Sequence, residues 1–263
     1  NSVLVIGNPH VSGVFGGQWT PNRNAEHEAK IVADLFNTKP LLGNSASKAK
    51  VLHRLPNANC VHFATHVSWK LSALILSPSS SENRLAVASD ASHEGLDFLE
   101  DGNQDDPPAL SDFLLSAADI LDQKISAKLV VLGAAHNKSS ETEITSEGVI
   151  GLTGAFLKAG AQCVLVALWP VPDLACKLLL KAFYGGLIRG LKASHALSQA
   201  MHVVQGTNQF SNPSNWAGFV LVGGDTVLSN RAALMGSTIG LLLHNSNARE
   251  ALKVLVHLVC IVL

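Results

Sequence analysis

The chain has 263 residues, enough to bury one substantial core as a single large α/β domain. Its formal charge is −1 and its cations are scattered singly, which excludes the basic footprint of a nucleic-acid binder. Charged residues make up only 15% and hydrophobic residues 47%, so either the buried fraction is large or an apolar face meets a partner.

Val3-Leu4-Val5-Ile6-Gly7 reads as a short buried strand, and Asn24 to Phe36 carries helical spacing through Ala29, Ile31, Val32 and Leu35. Ser45 or Ser47 caps a short helix ending near Leu55, and Asn59 to Thr65 forms a second strand that terminates at His66. Ala73 to Leu76 is a further short strand, suited to a hairpin. Residues 77–108 turn Ser-rich and then acidic, the pattern of a flexible surface insertion.

Helical periodicity returns over Ala109 to Leu121, followed by a strand from Leu129 to Ala134 and a helix from Gly148 to Gly160. Cys163 to Leu168 is the next strand. Pro172 and Asp173 open a long helix through Arg189, Pro being tolerated in the first turn and Asp favoured by the helix dipole. A helix from Ala193 to Val204, a strand from Trp216 to Val222 and two helices within 226–263 complete the chain. Strands alternating with helices predict a mostly parallel sheet flanked by helices on both faces.

The chain opens Asn1-Ser2-Val3 and enters a strand at once, as a fragment cut at a domain boundary would, and no secretory signal is visible. Cys60, Cys163, Cys176 and Cys260 are widely spaced, which fits buried thiols in a reducing compartment, and a cytoplasmic location is expected. Ala251 to Leu263 is apolar but short of the roughly 20 residues a bilayer span needs, so no membrane span is expected.

Functional groups in open α/β sheets gather outside the carboxyl ends of the strands. Two such ends stand out. Val61-His62-Phe63-Ala64-Thr65-His66 places His66 at one, and Leu129-Val130-Val131-Leu132-Gly133-Ala134-Ala135 places Ala135 at the other. A histidine base facing a nucleophile is the usual covalent arrangement, yet a methyl group cannot attack a carbonyl.

These residues resemble the CHAT domain, a caspase- and separase-related cysteine peptidase module commonly found after tetratricopeptide repeats. The similarity runs through His62-Phe63-Ala64-Thr65-His66, the strand into Ala135, Glu147-Gly148, Ala155 to Ala161 and Leu168-Trp169-Pro170-Val171-Pro172-Asp173. It implies a caspase-like three-layer α/β sandwich over residues 1–225, with 226–263 as a helical extension packed on the same domain. It also implies His66 at the general-base position and Ala135 where the family's Ser-Ala-Cys motif has its nucleophile. Val67 then stands in place of the glycine whose backbone N–H helps hold the oxyanion.

Two elements of one mechanism are altered together. An alanine introduced by design would account for Ala135 but not for Val67, so the resemblance favours a catalytically inactive pseudopeptidase acting as a protein-interaction module. Its expected partner is a protein or peptide, the tetratricopeptide repeats of the same polypeptide foremost. The alternative is a cysteine endopeptidase with a Cys/His dyad whose nucleophile at position 135 has been replaced; a third reading is a pocket that binds peptide without cutting it.

Other residues read more plainly. His62 shares the face of His66 by the period of two and reads as structural. His136, Ser139 and Ser140 follow Ala135 without any marked activating group, and Cys60, Cys163 and Cys176 read as core residues. Asp101, Asn103 and Asp105 open like a calcium loop, but Asp106 takes the required glycine position, Pro107 follows and Asp112 stands in place of the closing Glu. No metal or cofactor is expected. Gly148, Gly151 and Gly154, three apart on one helix, suggest close helix-to-sheet packing rather than a phosphate-binding turn.

Overall fold

The structure is a computed structural model that describes residues 2–11, 21–78, 109–133 and 146–228. The chain opens with β1 (Val3–Pro9), α1 (Arg23–Leu35), β2 (Leu41–Gly43), α2 (Lys48–Arg54), β3 (Cys60–Ala64), β4 (Val67–Ser68) and β5 (Ala73–Ile75). It continues through α3 (Leu110–Phe113), β6 (Leu114–Ser116), α4 (Ala117–Leu121), β7 (Leu129–Leu132), α5 (Ser146–Lys158), β8 (Cys163–Ala167), α6 (Asp173–Ile188), α7 (Ala193–Gln205) and β9 (Phe219–Gly223).

Six strands form the main sheet in the order β2-β1-β3-β7-β8-β9. All neighbours are parallel except β8 and β9, which run antiparallel from Cys163↔Gly223 to Ala167↔Phe219. The expected mostly parallel α/β sandwich is what the chain forms. Alternation along each strand divides its side chains between two cores. Cys60 and Ala64 of β3 join Ala25, Ala29 and Val32 of α1 and the buried faces of α6 and α7. Val61 and Phe63 face the other way, onto Val51 of α2, Ile120 of α4 and Leu152 and Phe156 of α5.

Helix caps follow local chemistry. The Asn22 side chain accepts from the N–H groups of Asn24 and Ala25 to start α1, and of the two candidate serines Ser47 caps α2, accepting from Lys50 N–H at 3.4 Å.

Three expectations need correction. Leu41–Gly43 was not expected as a strand; it is only three residues long and exists by pairing with β1. Ala109 to Leu121 is not one helix. Leu114–Ser116 is drawn out as β6 to pair antiparallel with β5, and Ser116 restarts a helix through a capping box with Asp119. Tertiary pairing here overrides a helical period. Ser77, read as the start of a surface insertion, is 1% exposed; its hydroxyl donates to Gly43 O at 2.6 Å and accepts from His10 N–H at 2.8 Å. The remainder of the insertion, residues 79–108, and the expected helices after Leu228 lie outside the described residues.

β4, β5 and β6 form a separate antiparallel sheet, in which the predicted Ala73 strand is central. Its corner is tied to α2 by Lys48, whose ammonium lies 2.9 Å from the Asp119 carboxylate. Partial burial works against ionisation of Asp119, but hydrogen bonds from Ser116 and Lys48 outweigh it and hold this carboxyl below its ordinary value. A depressed folded-state pKa gives stability that is present above the unfolded value and lost as pH falls through the folded one. Asp119→Asn is therefore expected to cost about 1 kcal/mol at pH 7, the size of a lost helix cap, with the difference shrinking toward acid. Urea unfolding of both proteins across that range measures it.

Candidate functional site

From β1 the chain moves outward to β2, then crosses back to place β3 on the other side of β1. Such a reversal opens a crevice at the carboxyl ends of the two strands. His66 follows β3 at that crevice. It is 6% exposed, and its carbonyl accepts the Ile75 N–H at 2.9 Å, so β5 holds the backbone of the candidate base. Sheet pairing of β3 ends at Ala64, so strict alternation does not carry the face of His62 through to His66. Beside it the Thr65 hydroxyl is buried without a hydrogen-bond partner among the described residues.

Val67 begins β4, pairs with Leu74 and buries its side chain in the second core at 1% exposure. A β-branched residue suits that extended, packed position. On the neighbouring strand end, Gly133 is the last described residue, its N–H bound to Phe63 O at 2.8 Å. Ala135, His136, Ser139 and Ser140 lie outside the described residues.

A side chain at position 133 has no room. A Cβ there would lie 2.7 Å from Phe63 O and 2.9 Å from Glu28 Oε1. Glu28 comes from α1, is 3% exposed, and approaches His62 Nε2 at 3.1 Å; His62 Nδ1 lies 2.9 Å from the Tyr184 hydroxyl of α6. The Cys176 thiol points to the second Glu28 oxygen at 3.7 Å.

A neutral imidazole that donates from Nε2 to the carboxylate and accepts at Nδ1 from the phenol satisfies these contacts. Burial pushes the Tyr184 phenol well above its ordinary range, with Cys60, Glu28 and Cys176 adding in the same direction, so it remains a donor. The line hydroxyl–imidazole–carboxylate has the connectivity of a catalytic triad. Its chemistry is nevertheless closed off, because Tyr184 and His62 are both fully buried. This is a structural polar core, the role expected for His62.

Glu28 and Tyr184 were not singled out by sequence, although a signal existed. Ala25, Glu28, Ala29 and Val32 fall at the spacing of one helix face, so a carboxylate on that stripe had to point inward. Tyr184 is the single tyrosine of the chain.

Other candidates sort by position. Cys60, Cys163 and Cys176 are buried thiols outside any disulfide among the described residues. Burial pushes the Cys60 thiol up to about 12 and, with the Asp225 carboxylate adding, the Cys163 thiol up to about 11. Asp112 accepts the Ala109 N–H at 3.1 Å as a turn acceptor, while Asp101, Asn103, Asp105 and Asp106 lie outside the described residues. Gly151 approaches the β4–β5 turn, its Cβ position 2.6 Å from Ser72 Oγ, and Gly148 meets the Trp69 carbonyl; Gly154 faces open space and needs no such explanation. Trp169 is fixed by its indole N–H on Ser214 O at 2.8 Å and by Gly218, where a Cβ would lie 2.8 Å from the ring.

The CHAT domain profile matches residues 1–224. The chain belongs to the CHAT domain family. It is 48% identical over 267 residues to tetratricopeptide repeat protein 28 of Homo sapiens and 46% identical to that of Mus musculus, covering 97% of this chain and 11% of each relative. The chain thus spans about a tenth of the length of these relatives. The solved Saccharomyces cerevisiae separase–securin complex aligns over 84% of this chain and 12% of its own, at 14% identity and a TM-score of 0.43.

The buried polar core predicts a graded mutational response. His62→Ala leaves the buried Glu28 carboxylate without its imidazole donor and is expected to destabilise by about 3–5 kcal/mol, the cost of an uncompensated buried charge. Glu28→Gln keeps a hydrogen-bonding oxygen without the charge and is expected to cost less than half of that. Denaturant unfolding ranks the two. The cysteines give a kinetic counterpart: Cys60, Cys163 and Cys176 are expected to react with iodoacetamide at pH 8 only as fast as the chain unfolds, which mass spectrometry resolves site by site.

Proposed function

We propose that this CHAT domain is a pseudopeptidase that serves as a protein-interaction module, docked on or beside the tetratricopeptide repeats of a longer polypeptide in the cytoplasm. The observation that carries the reading is Ala135 at the family's nucleophile position, a side chain without any group able to attack a carbonyl. Val67 supports it, since its side chain belongs to the core of β4 where the family's pattern has a glycine. The buried cysteines offer no replacement, each being held away from solvent. The name of the relatives supports the repeats as partner, and no helix among the described residues is long and apolar enough to cross a membrane.

Restoring the thiol tests the reading. In Ala135→Cys the new cysteine is expected to titrate near the ordinary thiol value of about 8.5, with an alkylation rate unchanged by His66→Ala. A depressed pKa that depends on His66 would show an intact dyad and sink the proposal. So would reproducible cleavage of a peptide library by the unaltered chain that His66→Ala abolishes.

A further inference from the structure

At the opposite end of the sheet from His66, the amino ends of β1 and β3 border a cleft of about 540 Å³. That volume lies within the range of ordinary ligand sites, roughly 300–1,000 Å³. β3 separates the two places by its length, roughly 16 Å at about 3.3 Å per residue. Apolar groups line part of the cleft, with Leu4 and Ala58 buried and Val3 and Phe36 half-buried. Phe36 is held edge-on against Tyr184, ring centres 5.4 Å apart.

The polar lining is one-sided. Arg54 and His53, from the last turn of α2, are exposed, and no acidic residue among the described residues lines the cleft. Among the described residues Arg54 has no carboxylate within ion-pairing distance; the pairs there are Lys30–Glu26, Lys48–Asp119 and His62–Glu28. The end of α1, which also borders the cleft, has two of its last carbonyls occupied. Ala33 O accepts from Phe36 and Thr38, and Asp34 O from Asn37. Its negative end is thereby blunted.

Asn37 and Asn57 add exposed amides of the kind that hydrogen-bond a peptide backbone. The wall is pre-shaped, with the Ser2 hydroxyl donating to Asn57 O and the Thr38 hydroxyl to Val3 O at 3.5 Å. A guanidinium without a carboxylate partner among the described residues, in a partly apolar cleft, is suited to a carboxylate beside an aromatic or aliphatic side chain.

We propose that this cleft binds an acidic peptide segment, Arg54 taking a glutamate or aspartate carboxylate while Phe36 and Val3 receive the adjoining apolar side chain. The site is independent of His66 and stands whether or not the crevice there has chemistry.

The test titrates the full chain into a fluorescein-labelled peptide in which three glutamates alternate with phenylalanine and leucine, and into the same peptide with glutamine at those three places. Anisotropy is expected to saturate with the acidic peptide and to weaken at least tenfold with the glutamine one. Arg54→Gln, an exposed change, is expected to weaken acidic-peptide binding at least tenfold, and Asn57→Asp, which places a negative charge in the cleft lining, to do likewise. His66→Ala and Lys30→Gln are expected to leave it unchanged. Equal binding of the two peptides, or acidic binding indifferent to both Arg54→Gln and Asn57→Asp in variants that keep the parent thermal midpoint, overturns the proposal.

Discussion

The Glu28 carboxylate sits between a helix and a sheet where water does not reach, and the surrounding structure is organised by the need to match it. Burial of an ionisable group is tolerated only with good partners. Those partners come from two other elements: His62 from β3 and Cys176 from α6, with Tyr184, two turns further along α6, bonding the far nitrogen of His62. One polar group thereby fixes α1 and α6 against the strand that leads to the candidate base. The same carboxylate also leaves position 133 without room for a side chain, so it shapes the strand that leads to the nucleophile position.

Around that polar core the apolar packing is ordinary and divided. Strand alternation sends Cys60, His62 and Ala64 to one layer and Val61 and Phe63 to the other, so each helix layer is held by its own hydrophobic cluster. The sheet reversal at β1 and β3 then puts His66 at a crevice, while the amino ends of the same strands border a second concavity lined by His53 and Arg54.

Under the proposed reading, Ala135 and Val67 differ in kind. Ala135 carries no group able to attack a carbonyl. Val67 pairs with Leu74 of β5 and buries its side chain in the second core. A residue that contributes buried apolar area gives a different reason for keeping the fold than catalysis does.

The amino-acid sequence by itself determined the alternation of strands and helices, the mostly parallel character of the sheet, the family and the buried placement of Cys60, Cys163 and Cys176. Each of these is written in local periodicity or in the identity of a single side chain. It also carried a legible sign of Glu28, on the apolar stripe of α1, though not the partners that make its burial tolerable. Only the tertiary structure decided that Leu114–Ser116 is a strand, that Leu41–Gly43 joins the sheet, that His62 pairs with Glu28 and Tyr184, and that Ser77 is an anchor. Those outcomes rest on partners 34 to 122 residues away along the chain, or on hydrogen bonds supplied by another strand. No local pattern encodes which distant group will satisfy a buried donor or acceptor.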